Sequence, residues 1–102
     1  MAKLSNKSAT GTSFHDVVIK TTAKALIDAL GPAQWGNNDG SDKTNFDWIC
    51  ETNAGKVFTI YDWKFYRPLD LNEPVMFHIG ANSRSVSEIA RLELINLLAK
   101  KV

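Results

Sequence analysis

The run Thr44-Asn45-Phe46-Asp47-Trp48-Ile49-Cys50-Glu51-Thr52, the tripeptide Asn53-Ala54-Gly55 and the return Lys56-Val57-Phe58-Thr59-Ile60-Tyr61-Asp62 decide the fold. Phe46, Trp48 and Cys50 alternate with Asp47 and Glu51, the two-residue period of a half-buried strand. Asn53-Ala54-Gly55 places a glycine where a three-residue turn needs positive φ. The return segment is rich in β-branched and aromatic residues, which suit a pleated surface. The whole stretch reads as an antiparallel hairpin.

Working outward, Ser13 to Thr21 carries Phe14, Val17, Val18, Ile19 and Thr21, a further strand. Ala23-Lys24-Ala25-Leu26-Ile27-Asp28-Ala29-Leu30 is a strong helix former, with Thr21 or Thr22 as cap and Leu26, Ile27 and Leu30 as its apolar stripe. Gly31 and Pro32 stop it. Residues 33–43 are a loop by composition, with Trp35 at its start. Past the hairpin, Trp63 to Arg67 breaks the alternation and two prolines fence residues 68–74. Val75 to Ile79 is the last strand, and Gly80 to Arg84 a turn. Ser85-Val86-Ser87-Glu88 has the spacing of a capping box for a terminal helix from Ile89 to Lys100. Ile89, Leu92, Ile95 and Ala99 share one face of that helix, and Lys100 and Lys101 sit at its C-terminal end, where the dipole favours cations.

The order is β-α-β-β-β-α. It predicts an α+β fold: one domain over residues 13–102, an antiparallel sheet of about four strands, and two helices packed on one face. Residues 1–12 are small and polar and read as a flexible N-terminal arm.

Composition bounds the function. The 102 residues are 44% hydrophobic, enough for one core. No run approaches the ~18–20 apolar residues of a membrane helix, so no membrane partner is expected. Twelve basic against eleven acidic residues leave a net charge of +1, which argues against nucleic acid as partner, since phosphate neutralisation supplies most nonspecific affinity. A lone cysteine, Cys50, excludes an internal disulfide and a multi-cysteine zinc site. The segment Met1 to Ser8 lacks the apolar region of a secretory signal, so the sequon Asn6-Lys7-Ser8 carries no weight and a cytoplasmic setting is expected.

No catalytic constellation stands out. Taking Gly40 as the sixth residue of a calcium loop puts Trp35 first and Phe46 twelfth, and neither is a ligand. No phosphate-binding glycine loop is present. His15, His78 and Cys50 lack metal-site spacing, so no metal or cofactor is expected. Cys50 sits mid-strand, as a packed apolar residue would. Ser83, Ser85 and Ser87 suit turn and cap duty. Asp62, Glu73 and His78 make an acid–base set of a kind that any chain of this size offers. The chain is therefore expected not to be an enzyme.

Two clusters suit binding instead. Tyr61-Asp62-Trp63-Lys64-Phe65-Tyr66-Arg67 holds four aromatics and two cations at a strand end, a platform for stacking a base and pairing a phosphate, or equally a protein hot spot. Alternatively, Trp63 and Tyr66 complete the core while Lys64 and Arg67 are solvated. Ile79-Gly80-Ala81-Asn82-Ser83-Arg84-Ser85 leads into a helix N-terminus, where free N–H groups suit an anion, although helix capping competes for them. His78 precedes this turn. The candidate ligand-binding set is Trp63, Tyr66, Arg67, His78, Asn82, Ser83, Arg84 and Ser85.

The segments Ile60-Tyr61-Asp62-Trp63-Lys64, Tyr66-Arg67-Pro68 and Phe77-His78-Ile79-Gly80, with Phe14-His15-Asp16 and Ala29-Leu30-Gly31 upstream, together resemble a group of small bacteriophage-encoded proteins. The resemblance spans residues 14–100 and brings no catalytic residue with it. It implies an accessory factor in the host cytoplasm that binds a small anionic ligand. The first expectation is an oligomeric sponge, a homo-oligomer that sequesters a cyclic or other signalling nucleotide of bacterial immunity. The alternative is an inhibitor or interaction module that binds a host protein.

Overall fold

A computed structural model describes residues 2–100. It contains β1 (Lys3–Leu4), β2 (Ser13–Thr21), α1 (Ala23–Leu30), β3 (Asp47–Glu51), β4 (Val57–Tyr61), β5 (Val75–Ala81) and α2 (Arg84–Ala99). The strands form one antiparallel sheet in the order β1-β3-β4-β5-β2. The expected α+β class and the β-α-β-β-β-α order are therefore present, with five strands instead of four.

The fifth strand comes from the segment read as a flexible arm. Lys3 and Leu4 pair with Glu51 and Cys50, Ser5 N donates to Ile49 O at 2.9 Å, and Ala2 is buried. Lys7 Nζ stands 3.2 Å from the Glu51 carboxylate, which Ser5 Oγ also meets at 3.0 Å. The sequence conceals this pairing because Lys3 and Leu4 are too short a run to show a strand period, although Ala2 is buried and Leu4 packs against the core.

The hairpin forms as read. Gly55 has φ +82°, its N–H donates to Thr52 O at 2.8 Å, and Asp47 to Glu51 pair with Tyr61 to Val57 in unbroken register. Trp48 and Cys50 of β3, Phe58 and Ile60 of β4, and Val75, Phe77, Ile79 and Ala81 of β5 are buried on one face. Leu26 of α1 and Ala90 and Leu94 of α2 cover them in a single core. Trp48 is fully enclosed and spends its indole N–H on Gly31 O at 2.9 Å.

Two features of the helices differ from the expectation. The N-cap of α2 is Ser83, not Ser85: Ser83 Oγ accepts Val86 N at 3.2 Å, and its carbonyl accepts both Ser87 N and Ser87 Oγ at 3.1 Å. Glu88, freed from any capping role, pairs with Arg84 at 3.0 Å. The face of α2 that meets the sheet carries Ser87, Ala90 and Leu94, while Ile89, Leu92 and Ile95 point to solvent. Small Ser87 and Ala90 let the helix lie close to the sheet, which bulkier Ile89 and Leu92 would prevent. Lys101 of the expected basic end lies outside the described residues.

The loops 31–46 and 62–74 are stitched together around one carboxylate. Asp62, fully buried, accepts Asn45 N and Phe46 N at 2.8 Å and Asn45 Nδ2 at 3.1 Å. Asn45 also donates to Arg67 O at 2.8 Å and accepts Gly40 N at 2.9 Å. A Cβ on Gly40 would stand 2.7 Å from the Arg67 backbone, so only glycine fits there. Asn38 closes the seam by exchanging two hydrogen bonds with the Leu69 backbone at 2.7 and 3.0 Å.

Asp62→Ala strands three buried donors at once. It is expected to cost about 3 kcal/mol or more of stability, read as a lower urea midpoint. A loss under about 1 kcal/mol would show that water replaces the carboxylate at this node.

Candidate ligand-binding site

Strand alternation places Asp47, Thr59, Tyr61, His78 and Gly80 on the sheet face that the helices leave uncovered. Thr59 stands opposite Gly80, and Tyr61 opposite both Asp47 and His78. A Cβ on Gly80 would stand 2.7 Å from Thr59 Oγ1, so glycine keeps this floor flat. β2 carries a bulge between Phe14 and Val18: Phe14 pairs with Gly80 and Val18 with His78, so four residue steps on β2 span two on β5. Asp16 takes up the slack at φ +62°. The bulge preserves parity and sets Phe14 on the open face, where its ring stacks on His78 at 4.0 Å and 11°.

The rings form a connected wall. Tyr61 meets His78 edge-on at 5.4 Å and Trp63 at 5.9 Å, and Trp63 lies stacked towards His78 at 6.3 Å. Trp63 is 41% exposed. Lys43 Nζ and Lys64 Nζ stand 5.9 and 5.5 Å from the Trp63 ring. Lys64 reaches this place because its backbone is left-handed, at φ +60°, and its N–H is fixed to Lys43 O at 2.7 Å.

Beside this wall lies a pocket of about 290 Å³. Asp47, Thr59, Tyr61 and Gly80 form its floor, Trp63 and Thr44 one side, and Ala9, Thr12 and Ser13 the other. Asp47 Oδ1 is buried there with no hydrogen-bond partner. Burial, with the nearby Asp62 charge in second place, pushes the Asp47 carboxyl up to about 6. Burial also raises Tyr61 and lowers His78, so that His78 is neutral near pH 7. The site is thus aromatic and half-open, with one carboxyl oxygen lacking a donor and two ammonium groups beside the Trp63 ring.

Of the residues singled out in the sequence, Trp63 and His78 come together here. The others do not join them. Arg67 is spent on Glu73 in a two-pronged pair at 2.8 and 3.0 Å, which holds Glu73 at about 2, and its guanidinium also lies over Phe65. Tyr66 is exposed in a left-handed backbone at φ +52°. Asn82 begins the turn four residues beyond His78, about 13 Å along the chain at ~3.3 Å per residue. Ser83 and Ser85 share a hydroxyl contact at 3.2 Å, Ser83 caps α2, and Arg84 is held by Glu88. Ser83, Arg84 and Ser85 therefore have partners within the chain.

Sequence reading missed Asp47, Thr59, Phe14 and Lys43 as site residues. Asp47 reads only as the polar half of an alternation, and Lys43 as loop. No local pattern marks either, since β4, β5 and the β2 bulge complete the site. His15 Nε2 lies 3.0 Å from Ala81 O, and no metal-holding cluster occurs among the described residues. Burial pushes the Cys50 thiol up to about 12, which leaves it an unreactive core residue. Comparison with protein-family models, curated proteins and solved structures found no match.

The raised Asp47 carboxyl makes a prediction about stability. Its stabilising acid form is fully populated below its unfolded value of 3.8 and is lost as pH rises through about 6. Asp47→Asn should leave stability unchanged near pH 4. At pH 8 it should add about 1 kcal/mol, less than the whole shift because the carboxyl is partly solvated. Urea titrations at the two pH values measure it, and an equal effect at both would assign Asp47 an ordinary surface environment.

Proposed function

We propose that the chain is a small binding protein of the phage-accessory type, which sequesters a nucleotide on its open sheet face without turning it over. One observation carries this reading: a part-exposed indole, continuous with His78, Tyr61 and Phe14 and flanked by two lysines, borders a pocket lined by the Asp47 carboxyl.

Each part matches a part of a nucleotide. A base has an apolar face and stacks on Trp63, an interaction worth ~1–3 kcal/mol per base. The amino and imino groups on its edge are donors, and the Asp47 carboxyl, which lines the pocket, is an acceptor. The phosphates then lie outside the pocket towards Lys43 and Lys64, in place of the Arg67 and Arg84 expected from the sequence. A pocket of about 290 Å³ takes one ring and leaves the remainder of the ligand across the sheet. A net charge of +1 still disfavours a long polyanion, whereas two local lysines suffice for a small one.

Thermal unfolding against a panel of mononucleotides and cyclic di- and trinucleotides tests the reading. A true ligand at one hundred times its dissociation constant should add about 2.7 kcal/mol. The same ligand should quench Trp63 fluorescence, bind more tightly as pH rises through the Asp47 titration near 6, and be recovered unaltered. Trp63→Ala, an exposed position, should abolish binding with little loss of stability, and Gly80→Ala should weaken it by pushing Thr59 into the floor. Absence of stabilisation across the panel would overturn the proposal.

A further inference from the structure

We propose that α2 packs against α2 of a second copy of this chain, antiparallel, about a two-fold axis passing at Leu92. The outward face of α2 is apolar without serving the core: Ile89 is 51%, Leu92 60% and Ile95 39% exposed. Scattered exposed apolar side chains are ordinary, but these three fall on one side of the longest helix at helical spacing.

The spacing selects the occupant. Ser85, Ile89, Leu92, Ile95 and Ala99 stand at −7, −3, 0, +3 and +7 from Leu92. The stripe therefore reads the same from either end: small, isoleucine, leucine, isoleucine, small. Turned about Leu92 by a two-fold axis, it meets itself with Ile89 against Ile95, Leu92 against Leu92, and Ser85 against Ala99. Such self-complementarity is what an isologous interface requires, and an unrelated partner would not call for it. The small residues at both ends let the two helices approach over about 21 Å, at ~1.5 Å per residue.

The charges point the same way. Arg91 and Glu93, which flank the stripe at its middle, are both drawn back to their own subunit: Arg91 Nε donates to Val18 O at 2.9 Å, and Glu93 accepts Asn53 N at 2.8 Å. Arg84 and Glu88 neutralise each other at one end. The stripe itself from Ile89 to Ala99 thus carries no charged side chain, Arg91 and Glu93 flanking it, with Asn96 its polar neighbour. An antiparallel pair sets Glu88 opposite Asn96, whereas a parallel pair would set Glu88 against Glu88. The antiparallel arrangement also sets the two helix dipoles in opposition. Because α2 lies on the sheet face opposite the ligand pocket, both pockets of the pair stay open, and the proposal is independent of the nucleotide reading.

One helix pair covers less than the ~800 Å² per partner of a standard interface, so the dimer is one that dilution dissociates. Sedimentation equilibrium of the intact chain over micromolar to millimolar concentrations should show the mass rise from 11.3 kDa towards twice that value. Leu92→Glu should stay at monomer mass throughout, with unchanged circular dichroism and melting temperature, since Leu92 is outside the core. Register is read by oxidation, with Cys50 buried and silent. Leu92→Cys should cross-link to itself, and a mixture of Ile89→Cys and Ile95→Cys chains should yield mainly the mixed dimer. A monomer at every concentration, or a dimer that survives Leu92→Glu, overturns the proposal and leaves the stripe to a different protein. Preferential self-linking of Ile89→Cys overturns the antiparallel arrangement.

Discussion

The buried carboxylate of Asp62 is the constraint on which the rest of the structure depends. It stands one residue past the end of β4, with no access to water, and receives three hydrogen bonds from Asn45 and Phe46. A charge at that depth is tolerable only with its acceptors filled. Filling them holds the entry to β3 against the exit of β4, so the hairpin is clamped at its open end as well as at its Gly55 turn. The same node leads through Asn45 to Arg67 and Gly40, and brings two long loops into one ordered seam. The left-handed backbones of Lys64 and Tyr66, each costing on the order of 1 kcal/mol, persist beside that seam. Trp63, which follows Asp62 in the chain, and the lysines around it are therefore placed by this node.

Two carboxylates at the open end of the hairpin differ in how their acceptors are met. Asp62 has every donor it needs and serves the fold. Asp47, at the other corner of the same hairpin end, has an enclosed oxygen with no donor and is pushed up to about 6. The fold thus satisfies one buried acid completely and leaves an enclosed oxygen of its neighbour without a donor. The aromatic wall next to it comes from three strands, and the bulge that brings Phe14 onto His78 is what closes it.

The fold was legible where short-range chemistry decides. Phe46, Trp48 and Cys50 alternate, Gly55 turns the hairpin, and Thr22 and Gly31 bound α1. Reading failed where two local patterns were equally valid. Ser83 and Ser85 both precede a helix at capping distance, and only the approach of β5 selects Ser83. α2 carries two apolar faces, and periodicity cannot say which of them the sheet takes. The sheet takes the one with small residues because close approach buries more area. The strand at Lys3–Leu4 was hidden because two residues are too few to show an alternation.

The sequence by itself determined the class, the order of elements, the hairpin and the enclosure of Trp48. These follow from alternation, turn chemistry and caps, which act over a few residues. Only the tertiary structure decided which polar groups are satisfied. Arg67 and Arg84 read as free cations, yet Glu73 and Glu88 occupy them. Lys43 and Asp47 read as ordinary loop and strand residues, yet the first stands near Trp63 and the second lines the pocket. The reason is physical: a side chain's capacity to bind is what its neighbours leave unused, and those neighbours here come from segments far apart in the chain.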